Sequence, residues 1–161
     1  MHAAAMEWVQ RWAPAGPVDV LDVGGRDING SPRPLFDGGS YEVIDLAPGH
    51  NVDWVGDFLA YTPDRLFDCA LHLEVAEHTP DWRTHMRHAR DCLALGGALI
   101  FTAAGPTRGP HSAVDGGPVR DGEHYENVDP EELAGVLVEL FGWSFVDTTD
   151  DGADVRAVAK R

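Results

Sequence analysis

The run from Val18 to Val23, apolar apart from two aspartates, passes without a break into Gly24 and Gly25. An apolar run of this length that stops on paired glycines reads as a buried strand delivering its backbone to a tight turn. With no Cβ in the way, the main chain there lets a ligand approach closely. A second apolar run, Tyr41 to Asp45, ends on a carboxylate 23 positions after Asp22. An acid at the end of the strand that follows a glycine turn is placed to accept hydrogen bonds from the vicinal hydroxyls of a ribose. Asp45 is therefore the expected sugar ligand of a nucleotide-type pocket. Asp22 allows two readings: it touches the ligand, or it only hydrogen-bonds the backbone of the turn.

The rest of the chain alternates strands with helices, which predicts an α/β fold with a mostly parallel sheet and ligands bound beyond the carboxyl ends of its strands. Residues 3 to 12 carry Ala5, Trp8, Val9 and Trp12 at helical spacing, so residues 1–17 are expected to supply a short amphipathic helix. Strands are expected at Val18 to Val23, Tyr41 to Leu46, Val52 to Val55, Phe67 to Leu73 and Ala98 to Ala103. The segment from Gly24 to Ser40 holds Pro32 and Pro34, and about ten residues including Pro63 separate the third strand from the fourth. Both connections are too short or too broken for a full helical crossover, so trimmed helices are expected.

Thr79 is expected to cap a helix with Pro80 at its first position, carrying Trp82, Met86, Ala89 and Leu93 on one face and stopping at Gly96 and Gly97. Asp129, Pro130, Glu131 and Glu132 start a further helix that ends at Gly142. The tail, Trp143 to Thr149 and Asp154 to Ala159 with a turn at 150–152, reads as an antiparallel hairpin. Residues 105–128 contain five glycines and three prolines and form an expected active-site loop. The length of 161 residues fits a single domain, 1–161.

Charge narrows the partners. Against 27 Asp and Glu stand 12 Lys and Arg, a formal net charge of -15, which repels phosphate backbones and anionic membranes. Neither nucleic acid nor a membrane is expected as a partner. No apolar run reaches the ~20 residues that span a bilayer, and the start lacks the basic flank and apolar core of a signal peptide, so a cytoplasmic protein is expected. Cys69 and Cys92 suit buried thiols better than a disulfide.

The strings "VLDVGG", "VIDLAPG", "VGDF", "FDCALHLEVAEHTPDW" and "LALGGALIFTAAGP", with the terminal hairpin, resemble class I S-adenosylmethionine-dependent methyltransferases over about residues 18 to 160. "GGRDINGSPRPLF", "AEHTPDW", "GPHS" and "GEHYENVDPEEL" make the chain similar in particular to small actinobacterial and phage methyltransferases. The resemblance implies a Rossmann-like methyltransferase fold, S-adenosylmethionine as cofactor and a small-molecule acceptor. It implies that Gly24 and Gly25 turn beside the amino acid part of the cofactor and that Asp45, with Leu46 following it, holds the ribose. Asp57 and the backbone of Phe58 would meet the adenine, and Glu74 would lie near the methionine moiety. The family's later glycines are replaced here by Arg26 and Ile28, so Arg26 is expected to pair with the cofactor carboxylate.

Direct displacement at a sulfonium methyl needs in-line positioning, exclusion of water and, for a hydroxyl or ammonium acceptor, removal of a proton. Histidine suits that last task near neutral pH. His78, just past the fourth strand, is the first choice of base, with loop residues His111 and His124 as alternatives. Asp115, Glu123 and Tyr125 share the loop as possible acceptor contacts. The spacing of its histidines and acids matches no metal motif, so no metal centre is expected. His72 is expected in the core, and His85 and His88 on a helix surface.

Two competing readings remain. A dinucleotide-dependent oxidoreductase would use Asp45 equally well, but it lacks the later glycines and a second domain. A catalytically silent nucleotide-binding module would keep the fold without turnover. The trimmed connections leave sheet faces thinly covered, so a homodimer is expected, with Trp8, Trp12 or the region from Phe58 to Phe67 as contacts.

Overall fold

A computed structural model describes residues 3–28, 30–149 and 151–161. Met1 and His2 of the N-terminal segment, Asn29 and Asp150 of the expected turn lie outside the described residues. A seven-stranded sheet runs through the molecule in the order β3-β2-β1-β4-β5-β7-β6. Its strands are β1 (Val20–Val23), β2 (Tyr41–Asp45), β3 (Trp54–Val55), β4 (Phe67–Leu73), β5 (Leu93–Ala104), β6 (Ser144–Thr148) and β7 (Asp154–Lys160). The first five pair in parallel, with Val20 opposite both Tyr41 and Cys69. β7 runs antiparallel to β5 and to β6, which gives the hairpin expected from the tail. The result is a mixed α/β architecture: one mostly parallel, Rossmann-like sheet with a C-terminal antiparallel hairpin.

Central strands are buried on both faces, so alternate residues feed two cores. Leu21, Val23, Phe67, Ala70, Leu99 and Phe101 face the helices α2 (Trp82–Cys92) and α3 (Pro130–Phe141), where Trp82, Met86, Leu133 and Leu137 are buried with them. Val20, Cys69, Leu71 and Ile100 face the other way, against Trp8 and Val9 of α1 (Ala3–Trp12). Leu35 and Phe36 of the 24–40 connection pack on that second core in place of a crossover helix. A single 3-10 turn, Phe58–Ala60, is the only regular piece between β3 and β4. Among the described residues no helix is long and apolar enough to cross a membrane.

Five expectations are corrected. α2 begins at Trp82 with Asp81 at its N-cap, because the Thr79 hydroxyl accepts the Asp81 N–H at 3.2 Å and holds a turn ahead of the helix. It ends at Cys92, and Gly96 and Gly97 belong to β5 instead. Pairing jumps from Phe67 with Leu93 to Cys69 with Ala98, so the glycines form a bulge that lets β5 start earlier than expected. His85 is buried: its Nδ1 lies 3.1 Å from Nε2 of the fully buried His72, a polar partner that the strand histidine needs inside the core. His88 is half-buried, with Nε2 3.0 Å from the Tyr61 carbonyl. Finally, Trp8, Phe58 and Phe67 are not available as dimer contacts, since each is buried within its own chain. Trp8 stacks on Phe145 at 6.0 Å and donates its indole N–H to the Ala157 carbonyl.

The helix starting at Asp129 forms as expected. The Asp129 carboxylate accepts the N–H groups of Glu131 and Glu132, each at 2.9 Å, and Gly142 closes the helix in the left-handed conformation at φ 75°. Cys69 and Cys92 are buried free thiols.

Candidate active site

The parallel strands place their carboxyl ends along one rim, and the connections there build the site. After β1 the chain turns on Gly24, φ 71°, whose N–H donates to the Ile44 carbonyl at 2.7 Å. A Cβ on Gly24 would fall 2.3 Å from Val75, and one on Gly25 would fall 2.4 Å from the Asp22 carboxyl group. Both glycines are therefore required by close packing beneath the turn as well as by access above it. Asp22 itself is buried and accepts the Tyr41 hydroxyl at 2.6 Å. Burial pushes its carboxyl up to about 7.

Asp45 closes the end of β2. One carboxylate oxygen accepts the Arg26 N–H at 3.3 Å, the other the Ala47 N–H at 2.9 Å, and the Arg26 guanidinium lies 3.9 Å away. Asn51 ties the same turn from outside, donating to the Gly25 carbonyl at 2.8 Å and accepting the Asp27 N–H at 3.0 Å. The Gly56 N–H donates to the Asp45 carbonyl, which sets Asp57 beside it, where its side chain caps the following 3-10 turn through the Leu59 N–H. Phe58 is buried, and Leu46 is exposed at 78% at the lip next to Asp45.

Across the rim from Asp45, a cleft of about 420 Å³ is lined by Gly24, Gly25, Arg26, Glu74, His78 and His111, among others. Glu74 takes a left-handed backbone at φ 59°, rare for a residue with a Cβ, immediately after β4. Its carboxylate pairs at 3.1 Å with Arg108, which also pairs with Asp154 of β7. Arg108 opens the 105–128 loop, and Asn127 at the far end donates to the carbonyls of Gly105 and Arg108, closing the loop at its base. Within the loop the Ser112 hydroxyl donates to Glu123 at 2.7 Å, and the Arg120 N–H donates to the same carboxylate at 2.9 Å.

His78, His111 and Tyr125 meet as three rings with centroids 5.0 to 5.6 Å apart. Burial, with His111 beside it, holds His78 below the usual imidazole range. Glu77, next to it on the 3-10 turn Ala76–His78, is fully buried; burial and then the Glu74 carboxylate push it up to about 8.

The expected residues thus divide. Gly24, Gly25, Arg26, Glu74, His78 and His111 come together in one cleft, and Asp45 joins them through Arg26. Asp57 is adjacent to Asp45 along the rim, not within that cleft. His124 is not among the residues lining the cleft, its Nε2 lying 3.7 Å from Glu126, and Asp115 is paired with Arg120 on the exposed part of the loop. Asn51, Arg108 and Glu77 were not singled out from the sequence. Glu77 lay within a quoted string, beside His78, but nothing local in the other two marked them.

No family model matches the chain and no curated protein matches it, so the nearer likeness to small actinobacterial and phage methyltransferases rests on its sequence strings alone. Solved structures do match. The N-methyltransferase NodS from Bradyrhizobium japonicum WM9, in complex with S-adenosyl-L-homocysteine, superposes with a TM-score of 0.66 at 19% identity, covering 98% of this chain and 85% of that one. The 1,6-didemethyltoxoflavin-N1-methyltransferase of Burkholderia thailandensis, with 1,6-didemethyltoxoflavin and S-adenosylhomocysteine bound, gives 0.69 at 19% identity over 98% and 78%. An S-adenosylmethionine-dependent methyltransferase from Mesorhizobium loti gives 0.67 at 16% identity over 99% and 98%. The chain has the fold of class I S-adenosylmethionine-dependent methyltransferases.

Proposed function

We propose that this protein is an S-adenosylmethionine-dependent methyltransferase that transfers a methyl group to an oxygen or nitrogen of a small-molecule acceptor. The observation that carries the reading is the joint between Asp45 and the glycine turn: a carboxylate at the end of β2, 3.3 Å from the Arg26 N–H, beside two glycines whose positions admit no Cβ. The two hydroxyls of the ribose bind Asp45, and the adenine lies along the rim between exposed Leu46 and the Asp57 to Phe58 backbone. The methionine part runs over Gly24 and Gly25 toward Glu74, with Arg26 taking its carboxylate. Three structural neighbours, each in complex with S-adenosylhomocysteine or S-adenosylmethionine, support S-adenosylmethionine as the cofactor.

That layout puts the sulfonium methyl at the mouth of the cleft walled by His78 and His111, and these two side chains activate the acceptor. The 105–128 loop covers the reaction from water. Titration calorimetry with S-adenosylhomocysteine tests the reading. Wild type is expected to bind and NAD not to compete, and Asp45→Ala is expected to lose about 10- to 100-fold in affinity, the scale of hydrogen bonds to a charged acceptor. Unchanged affinity in that variant would refute the placement. Donor binding with no demethylated product across a panel of acceptors would instead identify a silent nucleotide-binding module.

A further inference from the structure

His78 and His111, which line the cleft, converge with the buried Glu77 behind them, and the three have no shared partner. One carboxylate oxygen of Glu77, one ring nitrogen of His78 and one of His111 all lie within 4.8 Å of one another. Glu77 has no exposure to solvent. Its Oε1 accepts the Ala104 N–H at 3.2 Å, whereas Oε2 is buried with no hydrogen-bond partner among the described residues. Nδ1 of His78 is buried and unpartnered in the same sense. A buried oxygen acceptor and a buried ring nitrogen left unsatisfied each cost on the order of 1–3 kcal/mol, and the two lie on neighbouring residues. His111 places its Nδ1 3.2 Å from the Gly109 carbonyl. That bond fixes the tautomer with the proton on Nδ1 and leaves the Nε2 lone pair free, the arrangement by which a backbone carbonyl orients a metal-binding imidazole.

We propose that Glu77, His78 and His111 bind a divalent transition-metal ion at the acceptor end of the cleft. Two imidazoles and one carboxylate form a nitrogen-rich set that suits zinc, cobalt or nickel better than calcium or magnesium. One ion satisfies the Glu77 oxygen and the His78 nitrogen together. The ion's remaining positions face the cleft, where an acceptor hydroxyl binds. The sequence spacing conceals this site, because Glu77 and His78 are adjacent in the chain and His111 comes from the loop.

The consequence for chemistry rests on the methyltransferase reading. An acceptor hydroxyl bound to the ion releases its proton to water more readily. The oxygen lone pair then forms the O–CH₃ bond while the S–CH₃ bond breaks and its electron pair stays on sulfur, leaving a neutral thioether. His78 acts as a ligand here and not as the proton acceptor, and oxygen is favoured over nitrogen as the methylated atom.

The test uses the full chain, stripped with a chelator, and zinc or nickel chloride alone. Calorimetry is expected to show one equivalent bound, and cobalt substitution to give visible absorption bands of a bound ion. His111→Ala, on the loop, and His78→Ala should each weaken binding by at least about tenfold. His50→Ala, an exposed histidine away from the cleft, should leave it unchanged. Glu77→Gln keeps the Ala104 hydrogen bond and should also weaken binding; circular dichroism verifies that each variant is folded. Absence of stoichiometric binding, or binding undiminished in both His78→Ala and His111→Ala, overturns the proposal. A parallel titration with S-adenosylhomocysteine separates the two readings. Metal binding without cofactor binding sinks the methyltransferase assignment alone, and cofactor binding without metal binding sinks the metal site alone.

Discussion

Asp22 and Gly25 occupy each other's space: the carboxyl group fills the position where a side chain on the glycine would begin. The carboxyl is bonded to Tyr41 and faces Asp45 and Arg33 at longer range, and burial dominates, so its folded value of about 7 exceeds the 3.8 of an exposed aspartate. Between those two values the unfolded chain has released this proton and the folded chain has not, so the unfolded state binds fewer protons and stability falls as pH rises. The contribution is fully present below about pH 4 and is gone above about pH 7. Asp22→Asn cannot ionise, so its melting temperature is expected to gain on that of wild type from pH 4.5 to pH 8. A difference that stays constant with pH would mean that Asp22 is ionised throughout. The sequence marked Asp22, Gly24, Gly25 and Asp45 because each sits at a fixed offset along two consecutive strands. It could not mark Asn51, whose two hydrogen bonds to the turn cross from a separate loop.

At the scale of elements, local signals were legible and contacts between elements were not. The Asp129 cap, the Gly142 stop and the terminal hairpin depend on neighbours a few residues away, and all three formed where the residues pointed. α2 misled because its histidines read as polar, whereas His85 faces His72 across 13 positions of chain. Helical periodicity shows which residues share a face and is silent on whether a polar residue there finds a partner. The 105–128 loop shows the same limit: its composition announced a cover, and the ties that order it became visible only in space. Glu123 holds Ser112 and the Arg120 backbone at once. Glu123→Ala is expected to speed limited proteolysis between residues 113 and 122. Its melting temperature should change by less than about 2 °C, as befits a surface change within ~0.5 kcal/mol. Unaltered cleavage would mean that the base of the loop, not Glu123, orders it.

For the whole molecule, a net charge of -15 on 161 residues places many carboxylates within reach of each other. Like charges oppose compaction, and salt shortens their reach from ~20 Å at 20 mM to ~7 Å at 200 mM. Raising sodium chloride over that range is expected to lift the melting temperature by a few degrees in a thermal scan, and a fall would mean that ion pairs such as Arg108 with Glu74 outweigh the general repulsion. The mostly parallel sheet was legible as a class, since strand-helix alternation dictates it, whereas the strand order came only from the structure. The packing of Trp8 was not: the aromatic stripe that suggested a partner chain is consumed by Phe145 and Ala157, contributed by a hairpin more than 130 positions away.

The clasp made by Asn127 on Gly105 and Arg108 separates the flap's roots from its tip. Substitutions at the tip remodel the mouth of the cleft while the roots, fastened to β5 and β7, keep the glycine turn and Asp45 in register. Under the methyltransferase activity proposed above, a lineage carrying this scaffold is free to exchange one acceptor for another without relearning how to hold its methyl donor.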